Sequence, residues 1–395
     1  MRKAKTAGFT LSAVWWYFSE METLHETIFQ SAADLSCLDS ESIDLVVTSP
    51  PYPMIEMWDG ILGEQDRRIV DAIQDGDGFS AFELMHRILD KIWSECYRVL
   101  KAGAFACINI GDATRKIGQG FRLYTNHSRI TSFCETISFQ SLPAILWRKQ
   151  TNAPNKFMGS GMLPSGAYIT LEHEYILVFR KGGKRKFANH EKSKRQRSAF
   201  FWEERNVWFS DIWDFKGVRQ SLGEKESRQR SAAFPFELAF RLINMYSMQE
   251  DTVLDPFVGT GTTTVAAMAS GRNSYGVEID VDLAAVIDST VQTVAGSMNE
   301  RQIQRLHGHT DFVKEYQENR QRKLGYLNKP HGFPVMTRQE INLSIPIVTR
   351  IHKTETAQFR VQHEQQNDSS VLTVETKGFA HKPQSASQLN LALSS

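Results

Sequence analysis

The sequence predicts an α/β fold around a largely parallel sheet. Three observations predict it: β-branched apolar runs alternate with stretches of helical spacing, those runs are apolar throughout, as strands covered on both faces require, and a glycine loop joins one run to a helix. Ile43 to Thr48 is the first such run and stops at Pro50-Pro51, because proline cannot continue a central strand. Phe82 to Leu100 carries Leu84, Ile88, Ile92, Trp93, Cys96 and Val99 at helical spacing, with Gly103 as the expected stop. Ala104 to Ile110, Ala144 to Trp147 and Tyr175 to Phe179 read as further strands, and Phe236 to Tyr246 as an amphipathic helix. A strand over Thr252 to Asp255, a helix opening at Thr262 and running to Ser270, and a strand over Tyr275 to Ile279 complete the pattern.

A chain of 395 residues, 41% hydrophobic and 23% charged, has material for a sizeable core and is neither fibrous nor wholly disordered. The formal net charge of +1 excludes a uniformly basic DNA-coating protein. It hides an uneven distribution: residues 39–95 hold 13 acidic and 4 basic residues, and residues 180–197 hold 9 basic and 1 acidic. The four cysteines, Cys37, Cys96, Cys107 and Cys134, show no CxxC spacing, so no zinc site or redox pair is expected and free thiols suit a cytoplasmic protein. No apolar run reaches the roughly 18 residues that span a bilayer, so no membrane partner is expected. Phe9 to Phe18 faintly resembles a signal peptide, but Trp15-Trp16 and the lack of a small-residue cleavage site argue against one. There is no internal repeat.

Two motifs carry chemistry. Asp255-Pro256-Phe257-Val258-Gly259-Thr260-Gly261-Thr262-Thr263 lies between a strand and a helix. Its two glycines allow a tight turn and close approach to a ligand, and the helix start offers free N–H groups. Glu278 follows about 20 residues on, where a carboxylate suits a ribose hydroxyl. No lysine follows Gly261, so this is not a phosphate-binding P-loop, and Thr264 stands where the dinucleotide fingerprint needs a third glycine. A plain strand-to-helix turn would look similar. The second motif, Thr48-Ser49-Pro50-Pro51-Tyr52, places a hydroxyl, a proline carbonyl and an aromatic face at the carboxyl end of a strand, the edge at which open α/β sheets bind ligands. A proline turn with a packing tyrosine is the alternative.

Together the two motifs resemble the amino-methyltransferases of DNA, whose D/N/S-P-P-Y/F tetrapeptide is catalytic and whose D-P-F-x-G-x-G-T-T loop binds S-adenosyl-L-methionine. The catalytic motif precedes the cofactor motif, the order of the family's beta group. Arg98-Val99-Leu100-Lys101-Ala102-Gly103, Leu146-Trp147-Arg148-Lys149, His173-Glu174-Tyr175-Ile176-Leu177-Val178-Phe179 and Phe234-Pro235 ahead of Glu237-Leu238 extend the resemblance over residues 23–282. Ala102 replaces a usual proline, and Ser231-Ala232-Ala233 stands where the family often has His-Pro-Ala.

The resemblance implies a Rossmann-like methyltransferase fold with a mostly parallel seven-stranded sheet and circularly permuted motif order. It implies Ser49, Pro50, Pro51 and Tyr52 as catalytic residues. Asp255, Pro256, Phe257, Gly259, Gly261, Thr262, Thr263, Glu278, Phe234 and Pro235 are implied at the cofactor. The Ser-Pro-Pro-Tyr form is typical of enzymes that methylate cytosine N4, with adenine N6 as the alternative and an inactive cofactor-sensing DNA-binding protein as a further one. The chemistry matches: hydrogen-bond acceptors on a delocalised amine favour its nucleophilic, pyramidal form. An aromatic ring can stack on an extruded base. The C5-cytosine mechanism needs a cysteine after proline, which the chain lacks.

Residues 180–230 are basic with interleaved aromatics, and Lys184, Arg185, Lys186, Lys194, Arg195 and Arg197 are the expected DNA contacts, a solvated loop being the alternative. The glycine- and proline-containing stretch 152–168 is expected near the target base. His307 and His309 are expected at the surface rather than as metal ligands. The expected organisation is an N-terminal extension over 1–22 and a catalytic domain over 23–300, comprising a catalytic half (40–180), a basic region (181–230) and a cofactor half (231–300). A C-terminal region (301–363) and a poorly ordered tail (364–395) follow. Double-stranded DNA is the implied partner and a cognate restriction endonuclease encoded nearby a second; a homodimer is a candidate assembly.

Overall fold

A computed structural model of the chain describes residues 21–149, 158–159, 163–217, 234–321, 323–365 and 375–377. Its main sheet has eleven strands. In chain order they are β1 (Met21–Phe29), β2 (Ile43–Thr48), β3 (Leu100–Ile110), β4 (Phe139–Arg148), β5 (His173–Lys181), β6 (Ile212–Asp214), β7 (Thr252–Asp255), β8 (Asn273–Glu278), β9 (Pro346–Glu355), β10 (Gln358–Gln365) and β11 (Glu375–Lys377). Their order across the sheet is β6-β4-β5-β3-β2-β7-β8-β1-β10-β9-β11. All run the same way except β5 and β10. The seven strands from β4 to β1 answer the expected seven-stranded sheet. β6 adds one edge, and β10, β9 and β11 extend the other.

Helices cover both faces, which is why the inner strands carry apolar residues on both sides. On β2, Leu45 and Val47 face the cluster built from α3 (Phe236–Tyr246), α4 (Thr262–Ser270) and α5 (Leu283–Val294). Its Val46 faces the cluster built from α1 (Gly78–Val99) and α2 (Asn126–Thr136). α1 starts where Asp77 accepts the Ser80 N–H at 3.0 Å, and buries Leu89, Ile92, Trp93, Cys96 and Val99 along one stripe.

Several expectations change. Gly103 does not stop the helix: α1 gives way to β3 at Leu100, and Gly103 lies within the strand at φ +81°. The glycine is needed because a Cβ there would sit 2.5 Å from the Arg185 backbone N. β4 extends upstream of Ala144 because Pro143 falls at a register irregularity between Leu142 and Ile145, where a missing N–H is tolerated. The expected N-terminal boundary at residue 22 cuts β1, whose Met21 and Glu22 pair with His363 and Gln362; residues 1–20 lie outside the described residues. The boundary at 300 marks no break in packing, since Val348, Ile351, Phe359 and Val361 share the core of α3, α4 and α5. In the tail, Glu364 and Gln365 still belong to β10 and residues 375–377 pair with β9.

α6 (Glu300–Arg320) buries His309, contrary to the surface expectation, while His307 is exposed. The His309 ring stacks on Phe201 at 4.1 Å between centroids and joins Glu203 (2.7 Å) to the Pro334 carbonyl (2.9 Å). Among the described residues no group of three His, Cys, Asp or Glu could hold a metal ion, and no helix is long and apolar enough to cross a membrane.

Candidate active site

Strand directions alone bring the two motifs together. β2, β7 and β8 are parallel neighbours, so Ser49, Asp255 and Glu278 leave the sheet at one carboxyl edge. Thr48 seals the junction by donating its hydroxyl to Asp255 Oδ1 at 2.6 Å. β3 ends at the same edge, and antiparallel β5 begins there, with Ile110 opposite Tyr175.

Asp255 organises the glycine loop. Its carboxylate accepts from the hydroxyls of Thr48 and Thr263, each at 2.6 Å, and from the Phe257 N–H at 3.1 Å. Burial pushes its carboxyl up to about 6, against the opposing pull of those hydrogen bonds. Pro256 is buried and Phe257 packs edge-on to Trp93. Gly259 (φ +55°) and Gly261 (φ +90°) adopt the left-handed backbone, and Gly261 leads into α4, with Thr262 at its first turn. Glu278 accepts the Gly259 N–H at 3.0 Å through Oε2, and the Ile279 and Asp280 N–H groups at 2.9 and 3.0 Å through Oε1. Each oxygen keeps acceptor capacity for a hydroxyl. Phe234 and Pro235, both buried, open α3, which runs back toward the amino edge; Ser231-Ala232-Ala233 lies outside the described residues. A wall without Cβ atoms, an acceptor carboxylate and a helix start together fit an adenosine bearing a carboxylate tail.

The tetrapeptide meets residues whose roles sequence reasoning missed. Tyr52 is buried; its hydroxyl lies 3.1 Å from Ser49 Oγ and donates to Glu174 Oε2 at 2.9 Å. Asn109 Nδ2 donates to the Tyr52 oxygen at 2.8 Å and to Glu174 Oε2 at 2.6 Å. Lys149 pairs with Glu174 Oε1. Burial, with the Glu174 charge adding to it, raises the Tyr52 phenol well above its ordinary range. Asn126 Nδ2 pins the surroundings by donating to the carbonyls of Gly111 (2.9 Å) and Pro53 (3.1 Å), and His86 Nε2 donates to Asn126 Oδ1 at 3.0 Å. Burial drives the His86 imidazole down to about 3, so it is neutral. Lys149 and Glu174 sit in segments that carry the family resemblance, which marked the strings without giving a role. Asn109 had a weaker signal: a polar residue near the carboxyl end of an apolar strand.

The basic cluster lies at the opposite end of the strands. Arg185, Lys194 and Arg197 do not join the carboxyl edge that holds Ser49 and Asp255. Asp44 opens β2 and Asp251 precedes β7, so both lie at the amino edge, about 16 Å of strand from Ser49. Arg185 pairs with Asp251 at 2.8 Å, Asp44 at 3.3 Å and Glu191 at 3.1 Å, and Lys194 pairs with Asp251 at 2.9 Å. Arg197 pairs with Glu250, and Arg195 lies over the Phe187 ring. Lys184 and Lys186 are exposed on the same side. Charge counting saw the cations; those of Arg185, Lys194 and Arg197 meet acidic residues distant in sequence, Asp44, Glu250 and Asp251.

The carboxyl edge carries a different exposed surface. A hairpin, Ala113–Ile117 with Gly120–Tyr124, follows β3 and exposes Phe121, Arg122 and Leu123. Tyr168, exposed, packs on Phe121 with centroids 4.8 Å apart. Of the stretch expected near the target base, residues 152–157 and 160–162 lie outside the described residues.

A permuted α/β sheet with a proline-ended strand beside a glycine loop defines a methyltransferase class, and residues 43–288 match the N6/N4 methyltransferase family described as DNA methylase. The chain belongs to that family. It is similar to the type II methyltransferase M.MthZI of Methanothermobacter thermautotrophicus, at 48% identity over 88% of this chain and 97% of that one. It is likewise similar to M.MjaI of Methanocaldococcus jannaschii, at 48% identity over 69% and 92%. Among solved structures, a protein of Thermus thermophilus assigned as a DNA modification methylase and solved with S-adenosyl-L-methionine superimposes with a TM-score of 0.52 at 31% identity, covering 67% of this chain and 94% of its own.

Proposed function

We propose that the protein transfers a methyl group from S-adenosyl-L-methionine to the exocyclic N4 of cytosine in double-stranded DNA, as the modification partner of a restriction endonuclease. The observation that carries this reading is Ser49, a neutral hydroxyl at the head of the tetrapeptide, one strand away from the Asp255 loop to which Thr48 ties it. The cofactor supplies an electrophilic methyl group. Asp255, Gly259, Gly261 and Glu278 hold it, and Phe234 and Pro235 border it. Ser49 Oγ and the Pro50 carbonyl accept from the target amine, Pro51 fixes the turn, and Tyr52 offers a ring to the extruded base. The exposed aromatic and cationic hairpin 113–124 suits the duplex better than the amino-edge cluster, because it is continuous with the catalytic edge.

Incubating duplex DNA with the protein and methyl-labelled cofactor, then analysing nucleosides by mass spectrometry, tests the reading. N4-methylcytosine is expected. N6-methyladenine would replace cytosine by adenine as the target, and unmodified DNA would overturn the enzymatic reading.

The cofactor loop makes two predictions. Gly261→Val puts a branched side chain into left-handed backbone, with its Cβ 3.4 Å from Ile287, and is expected to lower cofactor affinity about tenfold or more by calorimetry. The second concerns pH. Asp255 holds its three donors as a carboxylate, so affinity should fall as pH drops through about 6. Its effect on stability has the opposite sign: a carboxyl raised on folding favours the native state at low pH, and that contribution is lost as pH rises through about 6. Asp255→Asn should flatten the affinity profile over this range.

A further inference from the structure

Four segments far apart in sequence converge on Tyr52: the ends of β2, β3 and β4 and the start of β5. The absence of a side chain at Gly111 lets them meet, since a Cβ there would lie 3.0 Å from Tyr52 Cε2 and 3.3 Å from Glu174 Cγ. The resulting hydrogen-bond chain has only one possible direction. A carboxylate only accepts, so the Tyr52 O–H donates to Glu174 Oε2. That uses the one hydrogen of Tyr52, so across the 3.1 Å contact Ser49 is the donor and Tyr52 the acceptor. The Ser49 hydrogen is then committed as well, so toward any further partner Ser49 Oγ can only accept, as it does from Asn109 Nδ2 at 3.5 Å. Asn109 Nδ2 enforces this order by donating to both oxygens farther along the chain, at 2.8 and 2.6 Å. Lys149 counters the charge of Glu174, which is only 7% exposed.

We propose that Glu174 is a positioning residue for methyl transfer and the terminal proton acceptor of a Ser49–Tyr52–Glu174 relay, an inference that rests on the methyltransferase reading above. The lone pair of the target amine takes up the methyl carbon, and the electron pair of the breaking carbon–sulfur bond stays on sulfur. The surplus amine proton passes to Ser49 Oγ, the Ser49 proton to the Tyr52 oxygen, and the Tyr52 proton to Glu174 Oε2, which ends as a neutral carboxylic acid. The same polarity acts before transfer, because it makes Ser49 an acceptor toward the amine. A hydroxyl left free to rotate could equally donate.

The test is a double-mutant cycle on Tyr52→Phe and Glu174→Gln, both near-isosteric, read in single turnover at saturating DNA and cofactor. Each single variant is expected to slow methylation on the order of 10²-fold, with both affinities within about twofold of wild type. The double variant should be no slower than the slower single one, because both cut the same chain. A single variant at the wild-type rate, or losses that multiply in the double variant, would overturn the relay. Thermal melting and cofactor affinity check folding, and if Glu174→Gln does not fold, Tyr52→Phe decides alone by its rate. A wild-type protein that leaves DNA unmodified would overturn the function itself and the relay with it, an outcome distinct from active wild type with fast variants.

Discussion

Ser49→Ala is expected to slow single-turnover methylation on the order of 10²-fold or more, while DNA and cofactor affinity stay within about twofold. The amine of a base is weakly nucleophilic because its lone pair is shared with the ring, and an acceptor on its hydrogen strengthens only as the lone pair localises. The interaction therefore belongs to the transition state and not to binding. Alanine removes the acceptor and the first link to Tyr52 and leaves the Pro50 carbonyl in place. Rapid-quench measurement at saturating substrates checks this. A variant that methylates at the wild-type rate would sink the role assigned to the tetrapeptide.

The second large effect is on stability. Arg185→Ala is expected to destabilise the protein by about 3 kcal/mol, because it strips a partner from two buried carboxylates at once. Asp44 and Asp251 are 3% and 1% exposed, and after the substitution each keeps a single lysine, Lys101 and Lys194. Lys184→Ala and Lys186→Ala, neighbours in sequence but exposed at the amino edge, should each stay within about 0.5 kcal/mol. Denaturant melts of the three variants, with DNA binding at two salt concentrations, separate this from a phosphate-contact role. If Arg185→Ala melts like wild type but loses DNA affinity and salt dependence, the cluster contacts DNA after all.

The elements that carry the chemistry were readable because their signals are local. The ends of β2 and β7 and the bounds of α3 and α4 fall where prolines, glycines and apolar periodicity put them. The C-terminal hairpin was not readable as part of the main sheet: β9 mixes Ile347, Val348 and Ile351 with Arg350, His352 and Lys353, and nothing local says which strand it joins. Gly103 was mistaken for a helix stop because its true reason is the backbone of Arg185, distant in sequence.

By itself the sequence determined the fold class, the two motifs and their order, since each depends on residues within a dozen positions. Tertiary structure alone decided what those motifs touch. Whether a cation meets phosphate or a buried aspartate, and whether Tyr52 is a lone ring or the middle of a chain ending at Glu174, depends on which strand ends share an edge. That is settled by strand direction and by the requirement that buried charges and hydroxyls find partners, conditions satisfied across the fold and not along the chain.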